Sequence, residues 1–320
     1  MDGADGTATG DDAANRADER VLILNPTAGS ADHADRIRDL AADHGFVVRE
    51  TAEAGDAVAF ARDAAAAART AGADSLVVAA GGDGTINEVV RGIVEADALG
   101  SVTLGIVPAG TGNNFAGNVG IDGIEAAFEI LGAGDVRTID VGFADGRPFL
   151  NSAVGGLTAE ASAETSSEAK SRFGVLAYVL ATLRTAVEFD GLPLHIETEG
   201  SAEGDWSGDA AFVLIGNGRR FPGEGPAQAD VEDGLLDVTV VEDRPTVDLV
   251  GEAALDRLLG AETAYISRFK AADLSISVLG DEQGNFSLDG EMVSTSALSV
   301  GVRERALRLH VGEGYEPHPE

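Results

Sequence analysis

Four short segments rich in glycine, threonine and asparagine contain the residues whose types and spacing could bind a phosphate group. They are NPTAGS at 25–30, Thr51, GGDGT at 81–85 and PAGTGNN at 108–114. Glycine lets the backbone approach a ligand closely, and backbone N–H groups in such turns form concavities that bind anions. An apolar pattern at helical spacing follows 81–85, so the positive end of a helix dipole would lie there too. These segments favour a phosphate site built largely from backbone groups.

Asp83 is the one acidic residue inside the GGDGT turn. An aspartate there would repel a bare phosphate, which makes sense if a divalent cation lies between them or if the carboxylate holds a neighbouring group. Thr85 can cap the following helix or bind a phosphate oxygen. Taken alone, GGDG is explained equally well by an ordinary strand–turn–helix with an aspartate in the turn.

The elements that must position these segments alternate between strand and helix. Predicted strands at 21–24, 46–48, 76–80 and 102–107 each precede one of the segments, and helical patterns cover 31–44, 55–71, 86–94 and 121–131. This alternation predicts βαβ units and a parallel sheet, in which ligands bind at the carboxyl ends of the strands. We therefore expect the four segments to form one site.

The pattern changes after residue 135, where short strands recur and predict a β-sandwich. A helix is predicted at 171–189 and another at 246–259. The predicted strands lie at 136–143, 148–154, 194–198, 211–216, 235–241, 264–269, 274–278, 285–288 and 298–302. We expect a disordered acidic tail at 1–19, an α/β domain at 20–143 and a β-sandwich domain at 144–304, and we leave open whether 305–320 completes the α/β domain.

The composition limits the class of protein. The formal net charge is −33, from 55 acidic and 22 basic residues, which disfavours nucleic acid as a partner because phosphates would be repelled. The chain is 44% hydrophobic and strongly periodic, which argues against disorder.

Scattered acidic residues and abundant alanine favour a halophilic protein in a high-salt cytoplasm, and such a cytoplasm indicates an archaeal source. The chain has no cysteine, no apolar run of transmembrane length and no signal-peptide core, so we predict a cytoplasmic location.

Further motifs complete a set whose order and spacing are highly specific. They are FLNSAVGG at 149–156, FGVLAY at 173–178, IGNG at 215–218, DGLLDV at 233–238 and LDGE at 288–291. With the four segments above, the chain from about 21 to 311 resembles the bacterial-type lipid kinases of the diacylglycerol kinase superfamily, to which sphingosine kinase and NAD kinase are distantly related. The resemblance implies an α/β nucleotide-binding domain, similar to NAD kinase and phosphofructokinase, followed by a β-sandwich domain.

The implied activity is transfer of the γ-phosphoryl group of ATP to a lipid hydroxyl, with Mg²⁺, in phospholipid biosynthesis. The acceptor would be diacylglycerol-like or an archaeal isoprenoid lipid alcohol, reached by peripheral or transient contact with a membrane. Family members often form dimers, and a homodimer stays open here. By resemblance, Asp83 belongs to the magnesium-linked network, and the ATP contacts are Asn25, Pro26, Thr27, Ala28, Gly29, Thr51, Gly81, Gly82, Asp83, Gly84, Thr85, Ile86, Asn87 and Thr111.

The LDGE motif carries the two carboxylates that could accept the proton of the lipid hydroxyl. A lipid alcohol has a high pKa, so transfer benefits from a general base within hydrogen-bond reach. By resemblance the proton acceptor is Glu291 or Asp289, with Glu291 preferred. Asp-Gly is also the commonest hairpin turn, and the alternating residues around it fit a hairpin without any catalytic role.

The DGLLDV motif resembles the second, structural metal site of the family. Carried over by position, its ligands would be Asp230, Asp233 and Leu235, some acting through backbone carbonyls or water, and oxygen ligands suit Mg²⁺ or Ca²⁺. A plain turn that leads into a strand explains the same residues equally well.

One position departs from the family pattern, and two alternative functions stay open. Asn114 stands where the family usually has aspartate. This difference predicts either that magnesium binds more weakly or that Asp83 contributes more to its binding. The alternatives are a kinase of a soluble acceptor such as NAD and a non-catalytic regulator that binds a nucleotide or a lipid.

Overall fold

The computed structural model describes residues 20–30, 32–71, 75–156, 191–199, 204–221, 228–243 and 265–319. Over these residues the chain divides into two units. The first contains the chain up to Thr138 together with Ala306–Tyr315, and the second contains Ile139–Arg305 and the residues from Glu316 onward. The predicted tail at 1–19 and the predicted helices at 171–189 and 246–259 lie outside the described residues.

The first unit is built on a parallel sheet. Its strands are β1 Val21–Leu24, β2 Val47–Glu50, β3 Ser75–Gly81, β4 Val102–Pro108 and the last part of β15, which spans Ala297–Val311. The strand order is β15-β4-β3-β1-β2, and every neighbouring pair is parallel. All residues of β1 and β4 are buried, and a strand covered on both faces requires a continuous apolar run instead of an alternating one. The predicted parallel α/β arrangement is confirmed.

Helices connect these strands, and their bounds differ slightly from the predicted ones. They are α1 Ala34–Asp43, α2 Asp56–Ala71, α3 Asp83–Glu95, α4 Asn114–Asn118 and α5 Ile124–Ala133, with a short 3-10 turn at Leu99–Ser101. Helix α3 begins directly at the glycine-rich turn because Gly82 is extended, with φ −92° and ψ −175°, and caps it. The N–H groups of the first turn of α3 therefore lie inside the GGDGT motif.

The second unit is a set of antiparallel strands. Its strands are β5 Asp135–Ala144, β6 Arg147–Phe149, β7 Ser152–Gly156, β8 Leu192–Thr198, β9 Trp206–Gly216, β10 Leu236–Glu242, β11 Ile266–Ala271, β12 Asp273–Val278, β13 Gly284–Leu288, β14 Glu291–Thr295 and the first part of β15. Strand β9 is the central one. Its first half pairs with β8, and its second half pairs with β7 on one side and β10 on the other. A buried cluster that includes Phe149, Ile215 and Phe286 forms the core of this unit.

Two strand predictions need correction. The predicted strand at 148–154 is interrupted at Leu150 and Asn151, which separate β6 from β7 because their N–H groups turn toward a side chain instead of a neighbouring strand. The predicted strand at 298–302 is longer than expected: β15 runs from Ala297 to Val311 because its first part pairs with β12 at Ala297–Gly301 and its last part pairs with β4 at Arg308 and Leu309.

Candidate active site

The carboxyl ends of β1, β2 and β3 lie at one edge of the parallel sheet, and backbone hydrogen bonds extend past them. The N–H of Asn25 donates to the carbonyl of Ala80 at 2.9 Å, and the N–H of Thr51 donates to the carbonyl of Leu24 at 2.9 Å. Parallel pairing continues from β3 to β4 as far as Gly81. The structure therefore brings the four predicted phosphate-binding segments together, as the strand order requires.

The three glycine-rich turns pack backbone against backbone. Gly29 has φ +55°, and a Cβ added to it would lie 2.5 Å from the carbonyl oxygen of Ala109. A Cβ added to Gly110 would lie 2.5 Å from the Cα of Gly82. These approaches are closer than real Cβ contacts allow, so glycine is required at both places. The turns form one continuous surface of backbone groups.

The side chain of Asn25 joins the first turn to the second. Its Nδ2 donates to Thr85 Oγ1 at 3.3 Å, and its Oδ1 accepts the N–H of Thr27 at 3.1 Å and the hydroxyl of Thr27 at 2.9 Å. Thr85, Ile86 and Asn87 are buried, with exposed fractions of 6%, 1% and 5%. A ligand at this edge would therefore meet the backbone of these three residues more readily than their side chains.

Asp83 connects the GGDGT turn to the PAGTGNN turn. Its carboxylate accepts the N–H of Asn114 at 3.0 Å, the N–H of Phe115 at 2.9 Å and the side-chain amide of Asn114 at 3.3 Å. These backbone groups are the first N–H donors of α4, so Asp83 caps that helix from 31 and 32 residues away. Asn114 thus contributes a donor where an aspartate would place a second negative charge beside Asp83.

Asn113 closes the third turn, a role that the sequence analysis did not assign. It has φ +48°, its Oδ1 accepts the N–H of Gly110 at 2.9 Å and its Nδ2 donates to the carbonyl of Gly110 at 2.9 Å. Asparagine tolerates the left-handed region and bonds locally, so an asparagine beside glycine was the available signal. The loop holds Thr111 exposed at its tip.

Asp56 is a second positioning residue that the sequence analysis left without a role. Its carboxylate accepts the N–H groups of Ala52 at 2.8 Å and Glu53 at 3.0 Å. These two bonds lower the pKa of Asp56 below its ordinary value. They fix the backbone directly after Thr51 at the start of α2, which holds Thr51 at the edge of the sheet.

A phosphate bound at this edge of the sheet would need positive charge from outside the three segments. The segments 25–30, 81–87 and 108–114 contain no lysine or arginine. Backbone donors and the N-terminus of α3 can orient a phosphate but neutralise only part of its charge. The remaining neutralisation would come from a cation that enters with the ligand, and the one acceptor position that three hydrogen bonds leave on the Asp83 carboxylate is suited to such a cation or to its water.

Asp289 occupies the hairpin turn between β13 and β14, in the second unit. Asp289 and Gly290 have φ +47° and +101°, and Leu288 pairs with Glu291, so the predicted two-residue hairpin is present. The Asp289 carboxylate also accepts three successive backbone N–H groups, from Leu150 at 2.6 Å, Asn151 at 3.0 Å and Ser152 at 2.8 Å. Such a nest fixes the carboxylate and occupies most of its acceptor positions.

Glu291 differs from Asp289 in its surroundings. It is the first residue of β14, and its side chain is partly exposed. The geometry therefore separates the two candidates for the proton acceptor, because Asp289 is held by the 150–152 backbone and Glu291 projects from the end of a strand.

Two buried asparagines support the nest around Asp289. Asn217 Nδ2 donates to the carbonyl of Leu150 at 3.0 Å and to the carbonyl of Asp140 at 3.2 Å, and the N–H of Asn217 donates to Asn151 at 2.9 Å. The FLNS and IGNG motifs are thus interlocked. Both motifs are recognisable in the sequence, but their pairing is not, because nothing local shows that they are neighbours.

The residues predicted as metal ligands lie close in sequence, but the carboxylate oxygens of Asp230 and Asp233 already have partners. Asp230 accepts the N–H of Glu232 at 2.8 Å and lies 2.7 Å from His318 Nδ1. Asp233 accepts the N–H of Leu235 at 2.9 Å and pairs with Lys270 Nζ at 2.6 Å. Among the described residues, no group of three or more His, Asp or Glu side chains is arranged to hold a metal ion. The set does not fit a divalent cation in this arrangement.

Asp140 lies beneath this loop and was missed by the sequence analysis. It is fully buried, and its carboxylate accepts the N–H groups of Gly234 and Arg305, both at 2.7 Å. Burial raises the pKa of Asp140 above its ordinary value, while the two N–H groups oppose that rise. A single aspartate between apolar neighbours in a strand was the available signal, since such a group needs partners when it is buried.

A groove of about 480 Å³ in the second unit is lined by Leu192, Pro193, Val278, Leu279 and the loop 280–285. Its lining includes none of the predicted catalytic, nucleotide-binding or metal-binding residues. Size alone therefore does not select the functional site of this protein, and the convergence of polar groups at the sheet edge and at Asp289 is the better guide.

Comparison with known proteins agrees with this geometry. Residues 19–144 match the model of the diacylglycerol kinase catalytic domain, and residues 151–311 match that of the YegS C-terminal NAD kinase beta sandwich-like domain. A "Probable lipid kinase YegS-like" protein of Pseudomonas aeruginosa is 36% identical over 273 residues, which cover 84% of this chain and 85% of that protein. The chain belongs to this family of lipid kinases.

Further relatives extend the match over more of the chain. A "Probable lipid kinase YegS-like" protein of Pseudomonas putida is 34% identical over 304 residues, or 92% of this chain and 95% of that protein. The crystal structure of a "putative diacylglycerol kinase" from Bacillus anthracis str. Sterne superposes with a TM-score of 0.75 at 25% identity, covering 93% of this chain and 98% of that one. The predicted resemblance and fold class are confirmed, and the protein is a kinase.

None of the helices in the described parts of the chain combines the length and the apolar content needed to cross a bilayer.

Proposed function

We propose that this lipid kinase transfers the γ-phosphoryl group of ATP to the hydroxyl of a lipid alcohol. The observation that carries the nucleotide half is the continuous backbone surface at the edge of the parallel sheet, where Gly29, Gly82 and Gly110 allow three turns to touch. A surface of N–H groups at a helix N-terminus is suited to a polyphosphate. The residues predicted from the sequence as ATP contacts, from Asn25 to Thr111, are the proposed nucleotide site.

Mg²⁺ would enter with ATP as part of the substrate. Phosphoryl transfer depends mainly on positioning and on neutralising the charge of the phosphoryl oxygens, and the cation supplies the latter. Asp83 would hold the 111–115 backbone in place through Asn114 and Phe115 and face the cation with the one acceptor position that its three hydrogen bonds leave. The segments around it contain no basic side chain that could replace the cation.

Glu291 is the proposed general base and Asp289 a positioning residue. The three N–H bonds from Leu150, Asn151 and Ser152 leave Asp289 little capacity to take up a proton from a substrate. Fixing the Asp289–Gly290 turn also fixes the start of β14, from which Glu291 projects. The role of Asp289 would thus be to orient the base rather than to accept the proton.

The proposed acceptor is a diacylglycerol-like lipid or an isoprenoid lipid alcohol, met at a membrane surface. A net charge of −33 opposes approach to an anionic bilayer at low ionic strength. Molar salt screens this repulsion within about 3 Å. Contact with the membrane is therefore proposed to be peripheral and transient, within a high-salt cytoplasm.

The direct test is incubation with γ-labelled ATP, Mg²⁺ and extracted lipids in molar KCl, followed by partition into organic solvent. We expect label in the organic phase, and the labelled species identifies the acceptor. The Glu291→Gln variant is the matched control and should transfer little label while melting normally. Label only in a water-soluble acceptor, with NAD tested alongside, would overturn the lipid assignment. Binding of ATP without transfer to any acceptor would instead indicate a regulator.

A further inference from the structure

The loop at 230–235 carries a high density of negative charge. Asp230, Glu232 and Asp233 lie within it, and Asp237 follows on β10. Asp230 and Glu232 are buried, with exposed fractions of 9% and 8%. Carboxylates gathered in this way require positive partners, and a divalent cation is one solution.

The contacts of Asp233 point to a different solution. Its Oδ1 accepts the N–H of Leu235, which closes a local turn, and its Oδ2 lies 2.6 Å from Lys270 Nζ. The same ammonium lies 3.7 Å from Asp237 Oδ2. The side chains of Asp233 and Asp237 are only 22% and 19% exposed, so solvent screens these pairs incompletely.

The backbone places Lys270 where a bound cation would be needed. Strand β11 pairs with β10, and Lys270 lies directly opposite Asp237 across the two strands. Arg220 Nε lies 3.3 Å from Asp237 Oδ2, so the two carboxylates of Asp233 and Asp237 are paired with two cationic side chains, Lys270 and Arg220. The chain has only two lysines, Lys170 and Lys270, which makes a lysine in this cluster a rare choice. An ammonium is a compact charge with three rotatable donors and can bond several carboxylate oxygens at once.

We infer that the ammonium of Lys270 takes the place of a divalent cation in this loop. It neutralises Asp233 and Asp237 and joins the loop to β11, while His318 and the N–H of Glu232 occupy Asp230. The loop therefore closes without a bound metal, in contrast to the expectation from family resemblance. This inference concerns stability alone and is independent of whether the proposed phosphoryl transfer is correct.

The test is thermal unfolding of the nucleotide-free protein in molar KCl, with either EDTA or millimolar Ca²⁺ or Mg²⁺. The melting temperature of the wild type should be the same in all three conditions. Lys270→Met keeps the length of the side chain but removes its charge, so Asp233 and Asp237 lose the ammonium that they share. We expect Lys270→Met to melt about 3 °C lower in EDTA and to recover most of that loss with divalent cations.

Two controls make the result specific. Arg36→Met removes an exposed partner of Glu125 and should create no dependence on divalent cations. The melting temperature of Lys270→Arg, like that of the wild type, should not change with divalent cations, because arginine retains the positive charge. The inference is overturned if divalent cations raise the melting temperature of the wild type as much as that of Lys270→Met. It is also overturned if they do not raise the melting temperature of Lys270→Met.

A binding measurement decides the question even if Lys270→Met does not fold. Calorimetric titration of the wild type with Ca²⁺ in molar KCl should match titration of Asp233→Asn, because Asp233 is already paired with Lys270. Loss of a stoichiometric Ca²⁺ site in Asp233→Asn would show that the wild-type loop binds the metal, and would overturn the inference.

Discussion

The carboxylate of Asp83 accepts the backbone N–H of Phe115 at 2.9 Å, across 32 residues of chain. This bond and its partner at Asn114 attach the PAGTGNN turn to the first turn of α3. The aspartate of the GGDGT motif therefore has a positioning role in the protein alone, before any nucleotide or cation binds.

Asp83→Asn should abolish phosphoryl transfer and loosen the 111–118 backbone at the same time. An amide offers one acceptor oxygen instead of two, so one of the N–H groups of Asn114 and Phe115 loses its partner. Transfer rates together with hydrogen exchange at these two amides check this prediction. Glu95→Gln, at the exposed end of the same helix, should change neither. Normal protection of both amides in Asp83→Asn would contradict the capping role.

Asn114→Asp should make the stability of the first unit depend on Mg²⁺. It replaces the donor that lies 3.3 Å from Asp83 Oδ2 with a second carboxylate, and two carboxylates at that distance repel unless a cation lies between them. We expect a lower melting temperature in EDTA, recovery with Mg²⁺ and a lower Mg²⁺ requirement for activity. Melting curves that are identical with and without Mg²⁺ would count against this prediction.

Glu291→Gln and Asp289→Asn should fail in different ways. Loss of a general base costs about 100-fold or more in rate, so Glu291→Gln should lose activity with an unchanged melting temperature and lose the acid limb of the pH–rate profile. Asp289→Asn replaces one of the two carboxylate oxygens with an NH₂ group that faces at least one of the three N–H donors, and it should cost about 1–3 kcal/mol of stability as well as activity.

Asp145→Asn is the matched control for the change at Asp289. Asp145 also lies in an Asp-Gly turn, with φ +47°, but within the described parts of the chain its carboxylate accepts one backbone N–H, from Ser299 at 3.0 Å. This variant should be nearly as active as the wild type and less destabilised than Asp289→Asn. If Asp289→Asn keeps its stability and the pH profile of the wild type, Asp289 does not position the base.

His310 should make the protein less stable in mild acid. Burial lowers the pKa of His310 below its ordinary value, and the nearby Arg20 and Arg308 lower it further. The unfolded chain takes up a proton near pH 6.5, whereas folded His310 resists it, so stability is full above about pH 6.5 and is lost as the pH falls toward the folded pKa. Melting temperatures at about pH 7.5 and about pH 5.5 test this. His310→Gln should reduce the drop, while His195→Gln, at a partly exposed contact with Glu197, should not.

Salt should stabilise the fold strongly. With a net charge of −33 the acidic surface repels itself, and this repulsion is screened as the Debye length falls from about 10 Å at 0.1 M salt to about 3 Å at 1 M. We expect the melting temperature to rise steadily with KCl over that range, whereas an uncharged osmolyte should not reproduce the whole effect. A melting temperature that is independent of KCl would refute the halophilic interpretation.

Local pattern was enough to predict a large part of the fold and the family. The apolar run of β1, the helical spacing after GGDGT and the Asp-Gly turn at 289–290 each specify their own structure through neighbours within a few residues. Hydrophobic periodicity and turn chemistry are local properties, so the sequence predicted most of the strands and helices in their order. The break between β6 and β7 was not predicted, because it depends on hydrogen bonds to the distant Asp289. The order of the motifs was enough to predict membership of the lipid kinases.

The roles of the polar side chains follow from contacts between distant parts of the chain. Asp83 meets Phe115, Asp289 meets the backbone from Leu150 to Ser152, and Lys270 meets Asp233, across 32, 137 to 139 and 37 residues respectively. No local pattern specifies such a pairing, because it depends on which strands lie side by side. A carboxylate that looks catalytic or metal-binding in the sequence can therefore be occupied by a backbone nest or an ammonium once the chain has folded, and the physical reason is the need of every buried charge for a partner.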